Sequence, residues 1–287
     1  MPLRSRLALT ASLLLCATLL AGCGLAGDTS PDAAEPGTWR PASGASAARI
    51  AGSAQVGPTT GHAPPPVVAP AGPVHIKRHP GVDCAIAKCV ALTFDDGPGK
   101  YTEGLLDLLA RENVPATFFL LGQNVQQYPH ALQRMVTEGH QLGSHTFTHP
   151  DLTTLPPERV ADELESTNEA IRKITGFAPD TVRPPYGAHN GATDRLIHDP
   201  LILWDVDTLD WQHHDPARTV SVAMEAVRGG SIILLHDIHK TSVQAVPELI
   251  GRLKGQGYSL VTIDELFAGT ELSGGQALTR RPVGGQA

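Results

Sequence analysis

Val90-Ala91-Leu92-Thr93-Phe94-Asp95-Asp96-Gly97-Pro98 passes from an apolar run of strand length straight into two carboxylates and a turn. Successive side chains on a strand alternate in direction, so Asp95 and Asp96 cannot point the same way at its end. One can bind a metal while the other faces a substrate as a base. Further strand-length runs lie at 116–121, 141–144, 181–183, 201–206, 232–235 and 259–262. Helical stretches fall between them, near 102–112, 124–139, 156–175, 191–198, 216–228 and 241–256. The clearest carries Val160, Leu164, Thr167, Ile171 and Ile174 at helical spacing. Strand–helix alternation of this kind predicts an α/β fold with a parallel sheet. Seven strands can build an open doubly wound sheet or an incomplete barrel, and periodicity alone does not choose.

Reactive residues follow strands one, three, four, five and six, the place where active sites gather in both architectures. After the third strand comes His145-Thr146-Phe147-Thr148-His149. Histidines four apart can converge on one cation, and Asp96 supplies a third ligand, leaving positions open for water. A zincin helix does not fit, because Thr146 stands where its glutamate belongs and the context is strand then loop. After the fourth strand, Arg183-Pro184-Pro185-Tyr186-Gly187 sets a fixed cation before a stiff turn that can aim one amide at a substrate oxygen. The fifth is followed by Asp205-Val206-Asp207-Thr208-Leu209-Asp210-Trp211, three carboxylates and an aromatic. The sixth ends in Leu234-Leu235-His236-Asp237, where His236 paired with an acid of the preceding cluster becomes a candidate general acid.

The chain has 287 residues, with 22 Lys and Arg against 29 Asp and Glu, a formal charge of −7. That length holds a substantial core, and the acidic balance argues against nucleic-acid binding. Arg4 and Arg6 precede an apolar stretch from Leu7 to Leu20, too short to span a membrane comfortably and of signal-peptide proportions. It ends in Leu20-Ala21-Gly22-Cys23, which resembles a bacterial lipoprotein signal, so 1–22 is expected to be removed and Cys23 to carry the lipid. Residues 23–75 are rich in Ala, Pro, Gly, Ser and Thr and are expected to form a flexible tether with a reach of about 40 Å. Cys84 and Cys89 remain as an even pair in an oxidising compartment, and a small disulfide loop is predicted. A domain over 76–270 follows, with a Gly-rich tail, 271–287, expected to be disordered.

Taken together the five clusters closely resemble the polysaccharide deacetylases of carbohydrate esterase family 4, the NodB-homology domain, over roughly 88–268. The resemblance implies a distorted, incomplete (β/α) barrel of about seven strand–helix units. It implies Asp95 as catalytic base, Asp96, His145 and His149 as metal ligands, and Arg183 as the residue orienting Asp95. It further implies that the Tyr186 N–H helps hold an oxyanion and that His236 is the general acid. Asp210 rather than Asp207 is expected to tune His236, and Pro185, Tyr186, Trp211 and Leu234 to meet the substrate. The implied cofactor is one divalent cation, zinc first and cobalt or nickel as alternatives. The implied reaction is N-deacetylation of a cell-wall or chitin-like polysaccharide by a monomer, lipid-anchored at the outer face of the cytoplasmic membrane. Peptidoglycan comes first as substrate, then chitin oligomers, then acetylated xylan as an O-ester. A glycan-binding lipoprotein without catalysis is the reading from another class.

Overall fold

The computed structural model describes residues 81–282, all within one compact unit, Pro65–Ala287. The signal segment 1–22, Cys23, the whole of the tether 23–75 and residues 76–80 of the expected domain lie outside the described residues, as do 283–287. In chain order the elements are β1 (Cys89–Asp95), α1 (Thr102–Glu112), β2 (Thr117–Leu120), α2 (Gly122–Val125), α3 (Pro129–Thr137) and β3 (Gln141–Ser144). Then come α4 (Pro157–Thr175), α5 (Gly191–Asp194), β4 (Leu201–Ile202), β5 (Val206–Asp207), α6 (Asp210–His213) and α7 (Pro216–Ala226). Last are β6 (Ser231–His236), α8 (Lys240–Gly255), β7 (Ser259–Val261), α9 (Ile263–Leu266) and β8 (Ala277–Leu278).

All seven residues of β1 are buried, as befits a parallel strand covered on both faces. The main sheet runs β3-β2-β1-β6-β5, with β7 also paired to β1, and every ladder in it is parallel. Beyond β3 the ladder thins to single bridges, Ser144 to Val182 and Val182 to Leu201, before β4 pairs with β8. The result is a barrel-like α/β fold that does not close through a continuous ladder.

The period-two alternation of β1 separates its residues between two clusters. Val90, Leu92 and Phe94 face outward into a core built with Leu105, Leu109, Leu132, Val246 and Leu249 of the helices. Cys89 and Ala91 face inward with Phe119, Ile202, Ile232 and Val261. Asp95 continues that inner row, so its carboxylate is aimed at the barrel's interior rather than at the helices. β6 repeats the pattern, with Ile233 and Leu235 outward and Ile232 inward, which puts His236 on the inner row as well.

Cys84 and Cys89 are joined as a disulfide at the start of β1, with Cα atoms 5.5 Å apart. The segment after 270, expected to lack structure, is packed as far as 282: Leu201 and Leu203 donate N–H bonds to the Gln276 and Leu278 carbonyls, and Arg281 donates to Gly230. Among the described residues no helix is long and apolar enough to cross a membrane.

Candidate active site

The site gathers at the C-terminal ends of β1, β3 and β6 and the loops beside them. Asp95 ends β1 and His236 ends β6, and the two are register partners on neighbouring strands. Asp95 Oδ1 accepts a 2.7 Å bond from Arg183 Nη1. Arg183 itself has 0% exposure, and its donors are spent on Ile202 O at 2.8 Å, Leu203 O at 2.9 Å and Thr93 Oγ1 at 2.8 Å. The guanidinium also lies 4.1 Å from the Phe119 ring centroid. A buried cation is tolerated only when paired and hydrogen-bonded in this way. Burial pushes the Asp95 carboxyl above its ordinary range, while the charges of Arg183 and His236 pull the other way.

Asp96 turns away from that pair, its backbone in the left-handed region at φ 70°. Its Oδ1 lies 3.5 Å from His145 Nε2 and 3.4 Å from His149 Nε2. One ligand atom from each of the three residues falls within 4.8 Å of the others. The same Asp96 Oδ1 is buried without a hydrogen-bond partner, an orphan that a cation would satisfy. Burial holds His145 down at about 3, so its imidazole is neutral and able to ligate. Its Nδ1 is 2.7 Å from the Arg183 carbonyl, an acceptor, which places the proton on Nδ1 and leaves the Nε2 lone pair facing Asp96. The donor set, two imidazoles and one carboxylate, fits a divalent cation with open positions.

Behind His236, Asp210, fully buried, accepts both the His236 N–H at 2.8 Å and a bond with its Nδ1 at 2.9 Å. Burial draws the His236 pKa down, but the hydrogen bond and charge of Asp210 outweigh it and raise it to about 9. Asp207 takes no part in this pair; its carboxylate accepts the Leu209 N–H at 2.9 Å. Tyr186, in a turn at φ 61°, sets its ring edge-on to His149 with centroids 4.7 Å apart.

Asp95, Asp96, His145, His149 and His236 border a cleft of about 330 Å³ whose walls also include Tyr186, Trp211, Leu234, Trp204 and Asp207. Pro185 is buried within the turn, whereas Tyr186 beside it is exposed and lines the cleft. Trp204 was not legible, since a strand read unbroken from 201 to 206 left its direction undefined. His239 lies at the rim, its ring centroid 6.1 Å from that of His236 and 4.9 Å from that of His214. The arrangement offers a buried carboxylate and an imidazole held by Asp210 in one cleft with a triad able to bind a cation, a combination suited to hydrolysis.

A family model described as polysaccharide deacetylase matches residues 83–199. The chain is 45% identical over 181 residues to the peptidoglycan-N-acetylglucosamine deacetylase PgdA of Listeria monocytogenes, covering 63% of this chain and 39% of that protein. It therefore spans about two fifths of the length of that relative. It is 36% identical over 188 residues to a peptidoglycan-N-acetylglucosamine deacetylase of Bacillus cereus, covering 62% of this chain and 68% of the relative. Among solved structures it is similar to a deacetylase determined with substrate, at 59% identity and a TM-score of 0.68 over 69% of this chain and 99% of that one. It is also similar to a carbohydrate esterase family 4 pseudoenzyme from Bacillus anthracis, at 30% identity and a TM-score of 0.60 over 63% of this chain and 66% of that one.

Proposed function

The chain belongs to the polysaccharide deacetylase family, and on that premise we propose that it hydrolyses N-acetyl groups of a GlcNAc-containing polysaccharide, peptidoglycan first, releasing acetate. Since the fold also occurs in a pseudoenzyme, the family alone does not carry this reading. What carries it is the completeness of the site: Asp95 held by Arg183, His236 held by Asp210, and the Asp96–His145–His149 triad, with Asp95, His236 and the triad lining one cleft.

In this reading Asp96, His145 and His149 hold a divalent cation, zinc first. Such an ion acts as a Lewis acid on the acetyl carbonyl and makes a water more acidic. Asp95 takes the proton from the attacking water, with Arg183 fixing its free oxygen in the cleft. The Tyr186 N–H steadies the negative charge that develops on the carbonyl oxygen, an interaction worth about 3 kcal/mol when the donor is well placed. His236, kept protonated by Asp210, delivers its proton to the departing sugar nitrogen. Trp204, Trp211 and Leu234 shelter the acetyl methyl from water.

The targeting segment supports a tethered extracytoplasmic enzyme that meets its own cell wall, and the Cys84–Cys89 disulfide suits that oxidising compartment. The similarity to a peptidoglycan deacetylase of Listeria supports the same choice of glycan. Acetate release from peptidoglycan, N-acetylglucosamine oligomers and acetylated xylan, with chelator and with zinc restored, tests the chemistry and selects the glycan. Asp96→Ala should lose metal and turnover together, whereas His236→Ala should keep the metal and lose turnover. Full turnover in Asp95→Asn would remove the base assignment, whereas no acetate release from any of these glycans by the zinc-loaded wild-type protein would favour a binding role. Cys23→Ser should move the protein from the membrane to the soluble fraction of cells expressing it.

A further inference from the structure

The loop carrying the two histidines is strained, and the origin of its shape lies outside the triad. Thr146 and His149 both have left-handed backbones, at φ 68° and 65°. Non-glycine residues hold that conformation only where the surroundings over-determine it. One side of the loop is fixed by the start of α2, where Gly122 and Gln123 donate N–H bonds to the Thr146 and Phe147 carbonyls at 3.0 and 3.1 Å. A Cβ on Gly122 would meet the Phe147 ring at 2.4 Å, so only glycine allows this approach.

The other side is fixed by Glu163 of α4. Its Oε2 accepts the N–H groups of Phe147 and Thr148, each at 2.8 Å, and its Oε1 accepts the Thr148 hydroxyl at 2.7 Å. The residue is only 5% exposed, and carboxylates are almost never buried without partners. Among the described residues no basic side chain pairs with it, so its charge is met by donors of this loop alone. Those donors lie on the residues between His145 and His149.

We propose that Glu163 is a positioning residue for the metal site: it fixes the Phe147–Thr148 backbone and thereby sets the affinity of Asp96, His145 and His149 for a divalent cation. The proposal rests on reading that triad as a metal site. Outer groups that orient ligands typically change metal affinity by about 10- to 100-fold when removed. A glutamine keeps the geometry, because its carbonyl can accept both N–H groups while its amide donates to the Thr148 hydroxyl oxygen. An aspartate keeps the charge but falls one methylene short.

The test is a zinc titration of the metal-free protein against a chromophoric chelator, with thermal melting of each metal-free variant alongside. Glu163→Ala and Glu163→Asp should bind zinc about 10- to 100-fold more weakly, Glu163→Gln close to wild type, and Thr148→Val with a smaller loss. A purely structural glutamate would lower melting temperature and leave zinc affinity of the folded variants untouched, and that result overturns the proposal. Should the alanine variant not fold, wild-type affinity in both Glu163→Asp and Thr148→Val overturns it equally. Wild-type protein that lacks a zinc site removable by Asp96→Asn would overturn the metal reading itself, and the proposal with it.

Discussion

His236 and Asp210 share a bond whose contribution depends on the proton the imidazole carries. The imidazole rises from its ordinary 6.5 to about 9 in the fold, burial opposing and Asp210 prevailing. A raised folded value means that the pair's stabilisation is complete below 6.5 and is lost as pH rises through about 9. Melting temperature should therefore fall across that window, and Asp210→Asn should flatten the fall while lowering the plateau. The same substitution should move the alkaline limb of kcat/KM to lower pH, since a general acid must be protonated. An unchanged limb would detach Asp210 from His236. Gly97 offers a second test at single-residue scale. A Cβ there would sit 2.3 Å from Asp237 Oδ1, a fully buried carboxyl pushed up to about 7 by desolvation and bonded by the Thr102 hydroxyl. Gly97→Ala should cost about 1–3 kcal/mol in urea unfolding, as overpacking does, and should weaken metal binding by displacing Asp96. The reactive residues were legible because each stands at the end of a strand-length run. Glu163 was not, although it lies on the buried stripe with Val160 and Thr167, since a charged residue on an amphipathic helix reads as a solvated one.

At the scale of elements, periodicity succeeded where one environment covers a whole segment. Helix α1 spans the expected 102–112, and β3 the expected 141–144. The helix expected over 124–139 is broken into α2 and α3, because Pro129 supplies the first position of a new helix and disfavours helical backbone at Tyr128. The strand expected over 201–206 splits because the chain changes partners. Leu203 donates to Leu278 of β8, but Asp205 donates to Ile232 of β6. The strand expected over 181–183 survives only as bridges at Val182. Strand β1 allows its two faces to be tested separately. Leu92 is fully buried on the outer face, so Leu92→Ala should cost about 2–5 kcal/mol while the folded protein keeps its zinc affinity and pH profile. Thr93, on the inner face, accepts from Arg183 at 2.8 Å and donates to Ile233 O at 2.8 Å. Thr93→Val leaves a buried guanidinium donor unpaired, at about 1–3 kcal/mol, and should also lower kcat and shift the acid limb of the profile. Equal effects of both substitutions on the profile would contradict the division of faces.

At the scale of the whole molecule, the weak seam of the barrel lies between β3 and β5, where the main ladder gives way to isolated bridges at Val182. The C-terminal segment lies along this seam. β8 pairs in parallel with β4, Arg280 bridges to Ser231 at the start of β6, and Arg281 donates to Gly230 at 2.9 Å. Leu278 and Leu272 pack against the inner cluster around Ile202 and Phe267. None of this was visible in a stretch whose glycines and short apolar pairs carry no period, because a two-residue strand is defined by its neighbours rather than by its own pattern. A chain ending at residue 275 would lose the acceptors of the Leu201 and Leu203 N–H groups and the donor to Gly230, three backbone bonds at 2.9, 2.8 and 2.9 Å. At about 1 kcal/mol net for each, these bonds alone amount to roughly 3 kcal/mol, and with the Leu278 packing and the Arg281 side-chain bonds also lost the melting temperature should fall by at least roughly 6–12 °C for a domain of this size. The triad is anchored elsewhere, on β1, β3 and α4, so the folded truncated protein should still bind zinc at wild-type affinity. Trp204 follows directly on Leu203, whose bond to β8 is gone, so KM for the glycan should rise more than kcat falls. A melting temperature within error of the full chain would mean that β8 only rests on the barrel and that the seam is held by the Val182 bridges alone.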